Sequence, residues 1–209
     1  MAATELLAQP PGPRGFGGPI ELKPDDVPAF EEPPRGFDLR RNDIPHGKVE
    51  MISYESKTVG ITRKMLVYTP PGYSTEKKYP VLYLLHGIGG DETEWQRFAK
   101  PEVLLDNLIA DGKAVPMIVV MPAGHTGAGG FGARGAAGAP PPRDSFLDDF
   151  AKDIVPYINK NYRVLPGRAN TAIAGLSMGG NHTLNIAIPD LGRYGYIGVF
   201  SSGLFNDFM

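Results

Sequence analysis

The chain has 209 residues, enough for one domain with a sizeable core. Its 21 basic and 23 acidic side chains leave a formal charge of −2 with no long block of either sign, which argues against a charge-driven nucleic-acid or acidic-membrane partner. Cysteine is absent, so disulfides, thiolate metal sites and cysteine nucleophiles are excluded, and no apolar run reaches transmembrane length.

The first ten residues lack the basic and apolar regions of a signal peptide, although Leu6-Leu7-Ala8-Gln9 fits the stub of a trimmed one. Residues 1–47 read as a Pro/Gly-rich arm without sustained periodicity, and 48–209 as the folded domain. Alternating patterns over 49–56 and 61–69, joined at Thr58-Val59-Gly60, predict an antiparallel pair of strands. The apolar runs 80–85 and 116–121 predict strands buried on both faces, with a helix over 101–110 between them, Pro at its start and Gly112 past its end.

A Gly/Ala/Pro loop spans 124–142. Asp144 then caps a helix carrying Phe146, Phe150, Ile154 and Ile158 at helical spacing, and Pro156 is expected to kink it. Strand 171–176, helix 178–188 and strand 196–201 complete the chain. Buried strands alternating with helices give a mostly parallel α/β sheet behind an antiparallel pair.

Strand 171–176 runs into Gly175-Leu176-Ser177-Met178-Gly179, a G-x-S-x-G nucleophile elbow of the α/β-hydrolase fold. The pattern asks for a serine on a strained turn, with glycine where strand and helix cross closely. Seven serines in a chain with 27 glycines would match it by chance about 0.1 times. The apolar strand before and the helix after make Ser177 the candidate nucleophile rather than a plain structural turn. A glycine-rich turn, His86-Gly-Ile-Gly-Gly90, comes directly after the strand 80–85. In this fold the oxyanion is met by two backbone N–H groups, here those of Ile88 and Met178.

Four segments then carry a resemblance. They are His86-Gly-Ile-Gly-Gly-Asp-Glu-Thr-Glu-Trp95, Phe150-x-x-Asp153-x-x-Pro156-Tyr157-Ile158, Ala172-Ile-Ala-Gly-Leu-Ser-Met-Gly-Gly180 and Tyr196-Ile197-Gly198. In this order, over about residues 48–205, the chain resembles the feruloyl and acetyl-xylan esterases of carbohydrate esterase family one. The wider esterase-D-like group, with formylglutathione hydrolases and mycolyltransferases, is similar but less close. The resemblance implies cleavage of acetyl or hydroxycinnamoyl esters of plant polysaccharide through an acyl-enzyme, with no cofactor and no metal, in a secreted protein. Ser177 matches the family nucleophile, and Ile88 and Met178 match the oxyanion donors.

The family's acid and histidine lie several tens of residues beyond the serine, whereas 32 residues come after Ser177 here. The expectation is an α/β-hydrolase lacking its C-terminal strands and helices, with a sheet edge that invites a homo-oligomer or strand-swapped dimer. His125, His182 and Asp207 are the candidate surrogate base or acid. His182, five residues along the helix from Ser177, should point away from it as a packed or capping residue. His86 is expected to shape the oxyanion loop, and His46 to be incidental. Trp95 divides between lining an aromatic-acid pocket and core packing.

Gly127-Ala-Gly129-Gly-Phe-Gly132 satisfies G-x-G-x-x-G but opens no helix, so it reads as a flap rather than a dinucleotide site. Asp25-Asp26, Glu31-Glu32 and Asp148-Asp149 are adjacent pairs that diverge, and they read as solvated faces. The reading is a serine carboxylesterase acting on small-molecule or polysaccharide esters. Its competitor is a catalytically silent domain that binds esters or carbohydrate.

Overall fold

The computed structural model describes residues 23–27, 31–127 and 144–203. The chain divides between Arg35 and Gly36 into two units. In the first, residues 23–27 form a turn in which Asp26 N–H donates to Lys23 O and Lys23 N–H donates to Asp26 Oδ2.

The second unit is built on a mixed sheet of six strands in the order β1-β2-β4-β3-β5-β6. Strands β1 (Lys48–Ser56) and β2 (Ile61–Thr69) form the antiparallel opening pair, closed by Gly60 at φ 78°. β2 runs antiparallel to β4 (Ile118–Pro122), while β3 (Val81–Leu85), β5 (Thr171–Leu176) and β6 (Tyr196–Phe200) continue the sheet in parallel with β4. This is the expected α/β-hydrolase arrangement.

Helices cover both faces, which is why β3 and β4 are apolar on both sides. On one face α1 (Glu94–Phe98) and α2 (Pro101–Ala110) place Trp95 and Leu105 against Leu66, Leu84, Val119 and Met121. On the other, Phe146, Phe150, Ile154 and Ile158 are fully buried against Val67, Tyr83, Val120 and Ile173. These four side chains lie on one continuous helical stretch, α3 (Ser145–Asp149), a π turn (Phe150–Ile154) and α4 (Val155–Asn161). Asp144 caps it, Oδ1 accepting from Phe146 N–H. The irregularity expected at Pro156 takes the form of the wide π turn just before it, where Val155 N–H reaches back to Phe150 O.

Residues 36–47, grouped by composition with the arm, belong to the larger unit. Asn107 Nδ2 donates to Phe37 O and Leu39 O, and Arg41 pairs with Asp111 at 2.6 Å. The buried Asp106 carboxylate receives Gly47 N–H at 2.9 Å, Tyr68 O–H at 2.8 Å and His46 Nδ1 at 3.0 Å. His46 is therefore an anchor of this strap rather than incidental. Composition misses it because the partners are polar residues of α2, some sixty positions away.

The chain leaves β3 for β4 on one side and returns to β5 on the other. The crevice at the carboxyl ends of β3 and β5 is thus the topological switch point, where ligands of open α/β sheets bind. Among the described residues no helix is long and apolar enough to cross a membrane.

Candidate active site

β5 pairs with β3 so that Gly175 lies opposite Leu85, which brings the elbow and the glycine-rich turn to the same end of neighbouring strands. Ser177 sits between β5 and α5 (Met178–Ala187) at φ 51°, ψ −110°, a left-handed conformation disfavoured for a side-chain-bearing residue. Its N–H donates to Phe200 O at 2.9 Å, and its carbonyl accepts from Asn181 N–H at 3.0 Å. The serine is the joint between sheet ladder and helix ladder.

The glycines around it are required by space. A Cβ on Gly175 would strike the Gly179 carbonyl, and one on Gly179 would strike the Leu85 carbonyl. A Cβ on Gly180 would lie 2.6 Å from Ser202 Cβ.

The turn after β3 is organised by two side chains. Glu94 Oε2 accepts from Gly87 N–H at 2.6 Å, reaching back from α1. Gly90 N–H closes the turn onto Gly87 O at 3.2 Å, with Gly89 at φ 79° and Ile88 exposed at the tip. The other organiser is His86, buried at the end of β3. Its Nε2 lies 2.7 Å from Gly124 N–H and its Nδ1 lies 2.8 Å from Gly87 O. A backbone N–H can only donate, so Nε2 accepts, and Nδ1 carries the proton given to Gly87 O. Burial pushes the His86 pKa below its ordinary value of 6.5, outweighing the bond to Gly87 O. His86 is thus a neutral bridge between the turns after β3 and β4.

Met178, at the first position of α5, is buried, its methyl beside Gly124 and His86. The first N–H groups of a helix have no intrahelical acceptor, and that of Met178 is the first in α5. The structure therefore gathers Ser177, Met178, His86 and the turn bearing Ile88 at one crevice. His125 is exposed beside them, its ring centroid 5.3 Å from that of His86.

His182 is held by Asp144. It is buried, its Nε2 is 2.7 Å from Asp144 Oδ2, and its ring lies 4.6 Å from that of Phe146. Asp144 thus both caps α3 and ties α5 to it. Asp207, and the G-x-G-x-x-G run apart from Gly127, lie outside the described residues. Trp95 packs into the second core cluster, donates Nε1–H to Leu85 O at 3.0 Å and meets Phe200 edge-on at 6.1 Å.

One acidic pair is corrected. Asp149 is not on a solvated face; it is fully buried, accepting Tyr54 O–H at 2.7 Å and facing Arg63 Nε at 3.1 Å. Asp148 is the outward member, 3.2 Å from Lys152. Sequence reasoning passed over Arg63 and Glu94 as well. Arg63 had a signal, since it shares the inward register of β2 with Met65 and Val67, where a charge needs a reason. Among the described residues no cluster of three His, Asp or Glu could hold a metal ion.

A family model described as "Putative esterase" matches residues 56–206. The chain belongs to this esterase family. An endo-1,4-beta-xylanase/feruloyl esterase of Xylanibacter ruminicola is 37% identical over 185 residues, covering 86% of this chain and 24% of the relative. Among solved structures, the CE1 ferulic acid esterase of Anaeromyces mucronatus, in complex with ferulic acid, superposes with a TM-score of 0.71 at 31% identity. That match covers 81% of this chain and 63% of the fungal enzyme. The feruloyl esterase module from Clostridium thermocellum shares the fold, with a TM-score of 0.65 at 24% identity. The chain thus spans about a quarter of the bacterial relative and just under two thirds of the fungal one.

Proposed function

We propose that this esterase-family chain hydrolyses carboxylic esters through an acyl-enzyme at Ser177, on acetyl or feruloyl esters of plant polysaccharide. The observation that carries the reading is the strained Ser177 at the switch-point crevice, facing a glycine turn held by His86 and Glu94. Attack by Oγ on the ester carbonyl breaks the bond to the leaving alcohol and leaves an acyl-serine, which water then hydrolyses. The N–H groups of Ile88 and Met178 receive the negative charge that develops on the carbonyl oxygen. The feruloyl esterase names of the relatives support the substrate class, and such substrates lie outside cells, which supports secretion.

His125, exposed at the crevice, is the candidate base within this chain. A loss in His125→Ala equal to that in Ser177→Ala identifies it; an unchanged rate assigns the role elsewhere. β6 also bears on assembly. It carries no charged residue, and Tyr196, Ile197 and Phe200 are exposed, so its outer edge suits pairing with a second copy. A monomeric mass by light scattering would count against that pairing.

The alternative is a silent domain that binds esters or carbohydrate, favoured by the commitment of His182 to Asp144. Hydrolysis of p-nitrophenyl acetate and methyl ferulate, beside the Ser177→Ala variant, separates the two. Turnover lost in the variant supports the esterase, and equal background rates in both would sink it.

A further inference from the structure

We infer that Arg63 is a positioning residue for the oxyanion donor Ile88, acting through residues 123–125 and His86. The inference rests on the esterase reading for its catalytic meaning, but its geometry is independent of it.

Arg63 lies on β2, and β2 outruns β4 in their pairing, with Met65 opposite Pro122. The Arg63 side chain therefore arrives where β4 has ended and its loop begins. Its guanidinium is almost wholly buried, a costly arrangement unless every donor is met. Nε is shared between Tyr54 Oη at 3.2 Å and Asp149 Oδ2 at 3.1 Å. Nη1 donates to His125 O at 2.8 Å, and Nη2 donates to Ala123 O. An apolar residue in this inward register would serve stability as well or better, because replacing buried ion pairs by packed hydrocarbon is often neutral or stabilising. Hydrocarbon, however, cannot grip two carbonyls.

The fork of a guanidinium holds two acceptors in fixed relation. With the carbonyls of Ala123 and His125 turned toward Arg63, the intervening Gly124 N–H is directed at His86 Nε2, 2.7 Å away. That contact sets the His86 tautomer, leaving the proton on Nδ1 for Gly87 O. The Gly87 carbonyl and the Ile88 N–H belong to one planar trans peptide and point in opposite directions. Fixing the carbonyl fixes the N–H. Arg63 thus aims an oxyanion donor across two loops, with Asp149 and Tyr54 keeping the guanidinium in place.

Two variants test this. Arg63→Lys keeps the charge for Asp149 but cannot span both carbonyls, and Arg63→Met removes the charge. Each is compared with wild type for kcat and KM on methyl ferulate and for the imidazole 15N signals of His86, assigned with His86→Gln. The expected result is kcat lowered about tenfold to a hundredfold with KM little changed, short of the loss of a whole oxyanion donor. Alongside it, His86 should pass from the single Nδ1–H form to a mixture of tautomers. Wild-type kcat, or an unaltered tautomer, in folded Arg63→Lys would overturn the inference. A tautomer shift in a chain whose wild type shows no Ser177-dependent turnover would uphold the link to His86 and sink the esterase reading instead. If Arg63→Met does not fold, Arg63→Lys decides the matter alone.

Discussion

Gly179 passes so close to Leu85 that the Leu85 carbonyl occupies the space a side chain would need. This one approach ties the first turn of α5 to the end of β3, and so Ser177 to the glycine turn. The atoms that a Cβ there would meet are all backbone, the Leu85 and His86 carbonyls at the end of β3, where the chain cannot yield. Gly179→Ala should therefore cost about 3 kcal/mol, at the upper end for overpacking, and abolish activity in whatever folds. A urea titration followed by circular dichroism measures the first effect. A stability within about 0.5 kcal/mol of wild type would mean that the elbow is less tightly held.

Strain at Ser177 predicts an opposition between stability and function. Ser177→Gly relieves the left-handed backbone, offset in part by the greater freedom of glycine in the unfolded chain. The expected net gain is about 1 kcal/mol, or about 2–4 °C in Tm, with turnover reduced at least about a thousandfold. Calorimetry beside an ester assay checks both. A lower Tm would contradict the strain.

His86 gives the protein an acid sensitivity of calculable sign. Its folded pKa is depressed, so between that value and 6.5 the unfolded chain binds more protons than the folded one. The stabilisation is complete above pH 6.5 and is lost as pH falls through the folded pKa. Tm measured between pH 7 and pH 5, above the usual carboxylate range, should fall with pH. His86→Gln should flatten that slope, because its amide oxygen can accept from Gly124 N–H while its NH2 donates to Gly87 O. Parallel slopes in the two proteins would remove His86 as their source.

Asp106 fastens the strap. Replacing it with alanine leaves the Gly47 N–H and the Tyr68 hydroxyl without their acceptor. The expected cost is about 2–4 kcal/mol, with faster proteolysis between residues 36 and 47 and an unchanged kcat in the remaining folded protein. Mass spectrometry of a timed digest reads the site of cleavage, and cleavage confined to other regions would contradict the assignment.

The backbone plan was legible because its signals are local. Continuous apolar runs marked β3, β4 and β5, alternation marked β1 and β2, and Asp144 marked the start of α3. The elbow was legible for the same reason, since strand, glycines and serine are contiguous. The supports of the candidate site were not, because they are pairings across long stretches of chain. Asp149 and Arg63 are 86 positions apart in sequence and meet only when β2 and α3 pack on one core. His86 was read into the glycine-rich turn after β3, but its partner Gly124 lies beyond another strand. The short helix α1 was missed although Asp91 and Thr93 form the turn that starts it, and with it went the role of Glu94.

The π turn Phe150–Ile154 is a helix with one residue more than an α-helix needs. It lets Asp149 face Arg63 while Ile154 and Ile158 still reach the core. Removing a single residue there would leave a sound α-helix, yet rotate its N-terminal half by about 100° relative to its C-terminal half. The carboxylate would swing away from the guanidinium, and Phe146 and Phe150 would turn off the core with it. Relatives whose helix is one residue shorter should therefore lack the Arg–Asp pair altogether, gaining or losing the two charges and the extra residue as one inherited unit.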